Sequence, residues 1–230
     1  MDLKGMNCYQ NFGFQQNFLE HFMTYGVECF SRLELGKQQY ASLKKWLEHS
    51  KMIEISNKDR SISITPLGQR LVKFGPYNPF TWAIIWANLS YNSVICQWYC
   101  LNTEIGASYE PGDLVVLLGE SYSPTTRKNA VGSLTATFRH SPIGSVLKQG
   151  VLVDKAYFRA GWDYPHAVAL LYALYLYAEH TGRRSFTFTE LANAHSNPEA
   201  AGISPSDIFG IEIKAFRELI QGLALNFPKY

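Results

Sequence analysis

The sequence predicts a mostly α fold with a small β wing: an N-terminal winged helix-turn-helix (residues 1–75) packed on a C-terminal helical domain (residues 76–230). Three observations carry this. Leu35 to Phe74 runs as helix, strand, polar tip, strand and helix. Gly75-Pro76-Tyr77-Asn78-Pro79 then breaks the chain, because two closely spaced prolines cannot continue a helix. Beyond the break, apolar residues recur mainly at helical spacing.

Residues 12–30 read as a leading helix that buries Phe14, Phe18, Leu19 and Phe22. In the next helix, Tyr40, Leu43, Trp46 and Leu47 share one face, with Lys37, Ala41, Lys44, Lys45 and Glu48 on or near the other. Met52, Ile53 and Ile55 supply a strand and Asn57 to Arg60 a polar turn. Ile62 and Ile64 alternate with serines on the return. Thr65-Pro66 opens a helix, since Thr caps and Pro suits the first position.

Past the break, Trp82, Ile85, Trp86 and Leu89 line a helix, followed by the SVICQWYC segment and a helix from Asp113 to Leu118. Ser123-Pro124 starts the helix carrying Val131, Leu134 and Phe138, and Ser141-Pro142 ends it. Residues 150–160 alternate as a short hairpin or extended strand. Ala167 to Ala178 is an apolar run of twelve residues, read as a helix buried on nearly all sides. A membrane span needs about 20. Near the end, residues 185–226 hold a candidate second helix-turn-helix: a strand-like Ser185–Phe188, a helix from Thr189 to Ala194, and another opened by Ser204-Pro205. Glu190, Glu199, Asp207, Glu212 and Glu218 make that half unattractive to phosphates, so it is expected to pack or bind protein.

Net charge is only +2, but its distribution is uneven. Residues 31–75 carry nine basic against four acidic residues, and residues 126–160 six against one, so each is +5. Residues 76–125 carry four acids and no Lys or Arg. Either the molecule has a positive face, or its helices are simply solvated by Lys and Arg; the two readings fit equally. The candidate nucleic-acid contacts are Lys37, Lys44 and Lys45 on the second helix, with Lys58 and Arg60 at the turn. Gln38 and Gln39 stand where base edges would lie, and Arg127, Lys128 and Arg139 would extend a phosphate track.

Catalysis by this chain is not expected. No phosphate-binding P-loop, dinucleotide fingerprint, His-Glu-x-x-His pair or nucleophile elbow occurs. The six histidines have no ligand spacing, and Cys8, Cys29, Cys96 and Cys100 read as buried structural thiols. Asp163 and His166 form at most an acid–base pair; a capping Asp beside a surface His is the favoured reading. No cofactor and no metal is expected. The first residues lack the apolar run of a signal peptide, so a soluble, cytoplasmic protein is expected.

NFGFQQNFLEHF, LGKQQYASLKKWLEHSKMIE, ITPLGQRL, FTWAIIWANLSYN with QWYC, LLYALYLYAEH and ISPSDIFGI together span most of the chain. On these segments it resembles a family of bacterial domains of unknown function. Such domains occur alone near DNA phosphorothioation genes, or fused behind phosphoadenosine phosphosulfate reductase-like iron–sulfur proteins. Each shared segment is structural rather than catalytic. No nucleotide loop or cysteine cluster of the reductase half is present, and the chain stops at NFPKY, where fused relatives continue. The resemblance therefore implies a domain or stand-alone partner with an accessory role, not reductase activity. Duplex DNA is the expected partner, through an accessory DNA-binding module of a sulfur-modification system. The alternative is a protein-interaction domain docking onto a reductase-like partner through Tyr91, Trp98, Tyr99 and Tyr109, although core packing accounts for these aromatics more simply. Oligomeric state is not legible.

Overall fold

A computed structural model describes residues 5–192 and 202–226. The first part holds α1 (Gln16–Tyr25), α2 (Cys29–Arg32), α3 (Lys37–His49), β1 (Ile53–Ile55), β2 (Ile62–Ile64) and α4 (Pro66–Phe74). After the proline break come α5 (Pro79–Asn92), α6 (Val94–Asn102), β3 (Ser108–Tyr109), α7 (Pro111–Leu117), α8 (Pro124–His140) and α9 (Pro142–Ser145). The strands β4 (Val151–Val153) and β5 (Ala156–Phe158) follow, then α10 (Ala167–Thr181), α11 (Phe188–Ala192), α12 (Pro205–Phe209) and α13 (Ile213–Asn226). The molecule is mostly helical, as its periodic segments predict, with two small sheets, of which the strand at Ser108–Tyr109 was not foreseen.

β1 and β2 pair antiparallel with Ile53 opposite Ile64. α3 closes into this hairpin through a left-handed Lys51 (φ 60°): Lys51 N–H bonds the Glu48 carbonyl at 3.0 Å and Met52 N–H the Leu47 carbonyl at 2.9 Å. Thr65 caps α4, its hydroxyl accepting from Gly68 N–H at 2.9 Å. Gly68 must be glycine, because a Cβ there would strike the Met52 carbonyl oxygen. The second sheet has the order β3-β5-β4, all antiparallel, so 150–160 is the hairpin arm of a three-stranded sheet.

α5 is the centre. Every residue from Thr81 to Ser90 is buried, and α3, α4, α6, α9, α10 and α12 all pack on it. The apolar run of α10 is not buried all round: Ala169, Leu170, Ala173 and Tyr177 are buried, while Val168 and Tyr175 face out. The leading helix is also shorter than read. It breaks at Gly26 (φ 58°) into a 3-10 turn and α2, and Phe14 is buried ahead of α1. The helix placed at Asp113–Leu118 opens two residues earlier, at Pro111. Ser185–Thr187 forms no strand; Thr187, not Thr189, caps α11, its hydroxyl accepting from Glu190 N–H at 3.2 Å. Ala194 and the loop from Pro198 to residue 201 lie outside the described residues, so part of the second helix-turn-helix does too.

Residues 5–15 form a strap between α3 and α8. The Phe12 carbonyl accepts from Trp46 Nε1 at 2.8 Å and from Ser42 Oγ at 3.1 Å. Phe14 N–H donates to Thr137 Oγ1 at 2.8 Å. Tyr9 stacks on Trp46 at 3.5 Å, and Phe14 lies between Trp46 of α3 and Trp82 of α5. One apolar cluster thus runs from the N-terminal strap into the helical layer. The aromatics of the acidic middle belong to it: Trp98 and Tyr99 are buried, and the Tyr91 hydroxyl donates to the Ile203 carbonyl. The Tyr109 hydroxyl accepts from Glu104 N–H. Trp98 and Tyr99 are thus not free to anchor a partner, while Tyr91 and Tyr109 are half-buried.

Candidate nucleic-acid interface

The exposed face of α3, the strap and the tip of the β1–β2 hairpin enclose a groove of about 470 Å³. Lys44, Lys45 and Arg60 line it, with Tyr40, Ala41 and Glu48 from α3, Ile55 and Asn57 from the hairpin, and Cys8 from the strap. Lys45 is paired to Glu48 at 2.7 Å. Lys44 and Arg60 have no ion-pair partner among the described residues.

The hairpin tip is built to display its cations. Ser56 Oγ accepts from Lys58 N–H at 3.3 Å, and Arg60 N–H returns to the Ser56 carbonyl at 3.0 Å. Asp59 Oδ1 accepts from Ser61 N–H at 3.1 Å and Ser61 Oγ at 2.8 Å; bonds from Ser56 and Ser61 hold its carboxyl down to about 2. Arg60 adopts φ 61°, a left-handed conformation favoured by Gly or Asn.

Beneath the groove, Tyr9 Oη lies 2.5 Å from His49 Nδ1. Burial, then Lys45, lowers His49 to about 4. Burial pushes the Cys8 thiol up to about 11, so it carries no thiolate at neutral pH.

The structure therefore brings together Lys44, Lys45 and Arg60. Lys37 and Gln38 stand exposed in the first turn of α3, and Lys58 stands exposed at the tip. Gln39 is engaged in capping, its Oε1 accepting from Gly36 N–H at 3.2 Å. Arg127 and Lys128 lie near the start of α8, and Arg139 in its last turn. Arg127 and Arg139 are separated by roughly 18 Å of helix rise, and Arg139 donates to the Tyr157 hydroxyl at 2.9 Å. Arg127, Lys128 and Arg139 are not among the residues that line the groove. Sequence reasoning missed Cys8, Tyr40, Ile55 and Asn57 as lining. Tyr40 was legible only as a core residue, although it sits one turn before Lys44.

No family model and no curated protein matches the sequence. Two solved structures share its fold. "Magnesium ion-bound SspB crystal structure" aligns with a TM-score of 0.68 at 13% identity, covering 98% of this chain and 79% of that one. "SspB crystal structure" aligns at 0.66 and 12% identity, with the same coverage. At such identities the likeness is one of fold.

Among the described residues no group of three or more His, Cys, Asp or Glu is placed to hold a metal. Glu104 and Asp207 do share a cavity of about 230 Å³, but with the Arg159 guanidinium between the same walls. Arg159 is 1% exposed. Its Nη1 donates to the Cys100 and Thr103 carbonyls at 3.2 and 2.6 Å and to Thr103 Oγ1 at 3.0 Å. Its Nη2 donates to the Asp207 carbonyl at 2.5 Å, and the guanidinium lies 5.2 Å from the Tyr99 ring. The cation thus sits at the C-terminal end of α6 and beside that of α12, where helix dipoles favour positive charge.

Asp163 and His166 do not pair. Asp163 is bonded to Lys148, and His166 itself caps α10, Nδ1 accepting from Val168 N–H at 3.2 Å. No helix among the described residues is long and apolar enough to cross a membrane.

Proposed function

We propose that residues 1–75 form a winged helix-turn-helix whose α3–hairpin groove grips nucleic acid. On this reading the chain is an accessory DNA-binding module of a sulfur-modification system such as DNA phosphorothioation. The observation that carries it is the convergence of Lys44, Lys45 and Arg60 on one groove, with Lys44 and Arg60 free of ion pairs among the described residues. The left-handed Arg60 adds to it, since a strained conformation is retained where glycine would serve the turn better. The sulfur-modification context rests on the resemblance of the sequence segments quoted above. The chain is not itself an enzyme on this reading: burial raises all four cysteine thiols, and no acid–base pair forms at Asp163 and His166.

Fluorescence anisotropy on a short DNA duplex over a salt series tests the reading. Each phosphate contact contributes about −0.9 to the slope of log affinity against log salt. Changing Lys44, Lys45 and Arg60 together to Gln is expected to flatten the slope by about 2–3 and weaken binding roughly tenfold or more at low salt. Arg60→Gly alone should weaken binding while raising unfolding free energy by about 1 kcal/mol, through relief of the left-handed conformation. Equal slopes for wild type and triple variant would remove the groove from DNA contact.

A second reading, a protein-interaction domain docking onto a phosphoadenosine phosphosulfate reductase-like partner, is favoured by a different surface. Phe74, Tyr77 and Tyr164 are exposed, and Phe74 is linked through Phe80 to His166 by ring contacts of 5.0 and 5.1 Å. Such aromatics are common interface anchors. Co-elution with a reductase-like protein that survives the triple Gln change would support it.

A further inference from the structure

We propose that the groove holds one unpaired nucleotide, its phosphate on Lys44 and Arg60 and its base against Tyr40, so that the preferred ligand is single-stranded or locally opened DNA. The inference rests on the nucleic-acid reading above and names the form of nucleic acid it takes.

A duplex phosphate backbone needs only a raised row of cations. Here the cations instead border a concavity of about 470 Å³, which lies within the size range of small-ligand pockets of about 300–1,000 Å³. Its lining is mixed in the way a nucleotide requires. Tyr40, Ala41 and Ile55 offer an aromatic ring and apolar surface. Asn57 adds an amide that donates and accepts, suited to a base edge. The Tyr40 ring also packs against Phe30, at 5.2 Å and 58°, a contact that restrains it.

The charges sort themselves by partner. Lys45 is committed to Glu48 at 2.7 Å, which neutralises the one carboxylate in the lining. Lys44 and Arg60 are left for the phosphate. A positive groove with an aromatic platform is the arrangement by which single strands are held, because every base has a face to stack. A closed duplex keeps its bases stacked on one another and reaches only the rim.

The test compares a labelled single strand, the matching duplex, and that duplex carrying one unpaired nucleotide, all by anisotropy at fixed salt. The single strand and the bulged duplex are expected to bind at least about tenfold tighter than the closed duplex. Base stacking of the usual strength predicts that Tyr40→Ala weakens the single strand by about 5- to 150-fold, erasing the preference. Tyr40→Phe keeps the ring and should keep the preference, which separates stacking from any loss of folding. Independently of any variant, 2-aminopurine placed in the strand should change its emission on binding as its base leaves the strand's own stack. Binding of the closed duplex as tight as the single strand overturns the inference while leaving the DNA reading intact. Failure of all three ligands to bind overturns both.

Discussion

Replacing Arg159 by alanine is expected to lower the unfolding free energy by about 3–5 kcal/mol, among the largest single-residue effects in this molecule. The guanidinium joins three elements that are far apart in sequence: β5, after which it lies, the end of α6, and α12. It satisfies the carbonyls of Cys100, Thr103 and Asp207, all at or near helix C-termini where intrahelical partners run out. Removing it orphans these acceptors and enlarges a cavity of about 230 Å³ that already adjoins the side chain. Arg159→Met refills most of the volume but supplies no donor, so it should cost less than Ala and still be clearly destabilising. Urea unfolding followed by tryptophan fluorescence orders the three proteins. A cost below about 1 kcal/mol for Ala would mean that water replaces the guanidinium at those carbonyls.

Arg159 also shows where reading the sequence stopped. Within 126–160 it counted as one of six basic residues favouring a positive surface, yet it is among the most deeply buried side chains. Nothing local marks it, because Cys100, Thr103 and Asp207 arrive from other elements. The segment from Lys37 to Phe74 was legible for the opposite reason. Its helix face, alternating isoleucines, turn and Thr-Pro cap are all local signals, and they agree.

Hydropathy misplaced the central helix. The uninterrupted apolar run of α10 suggested burial on nearly all sides, whereas α5 carries Thr81, Asn88 and Ser90 and is the helix buried at every position from Thr81 to Ser90. Those polar groups are silent in the core because they are bonded. Asn88 Nδ2 donates to the Ile84 carbonyl and Ser90 Oγ to the Trp86 carbonyl, each at 2.9 Å, and the Tyr172 hydroxyl donates to Asn88 Oδ1 at 2.9 Å. At the groove, the cations were readable as the polar face of α3 and the hairpin tip. Cys8 and Tyr40 were not, since their place depends on how the strap and α2 pack against that helix.

The strap should make the protein acid-labile in a defined window. His49 is neutral in the fold at pH 7, with Nδ1 and the Tyr9 hydroxyl hydrogen-bonded at 2.5 Å. Burial first, then Lys45 and to a lesser degree Lys51, lowers it from 6.5 to about 4, with only Glu48 opposing. Because the folded value is depressed, the unfolded chain binds the proton first. The contribution is complete above pH 6.5, erodes as pH falls below it, and is exhausted near pH 4. At about 1.4 kcal/mol per unit this amounts to roughly 3 kcal/mol. The depressed carboxyls of Asp59 and Glu190, both at about 2, begin to give way only around their unfolded values of 3.8 and 4.5, so they touch just the acid edge of this window. Urea midpoints measured from pH 8 to pH 4 should therefore fall for the wild type and stay nearly level for His49→Phe, which keeps an aromatic ring beside Tyr9 without a titrating nitrogen. The variant is weaker at high pH, where the Tyr9 hydroxyl loses its hydrogen-bond partner, so the two curves are expected to converge or cross as pH drops. Curves that remain parallel throughout would show that His49 does not set the acid sensitivity of the strap.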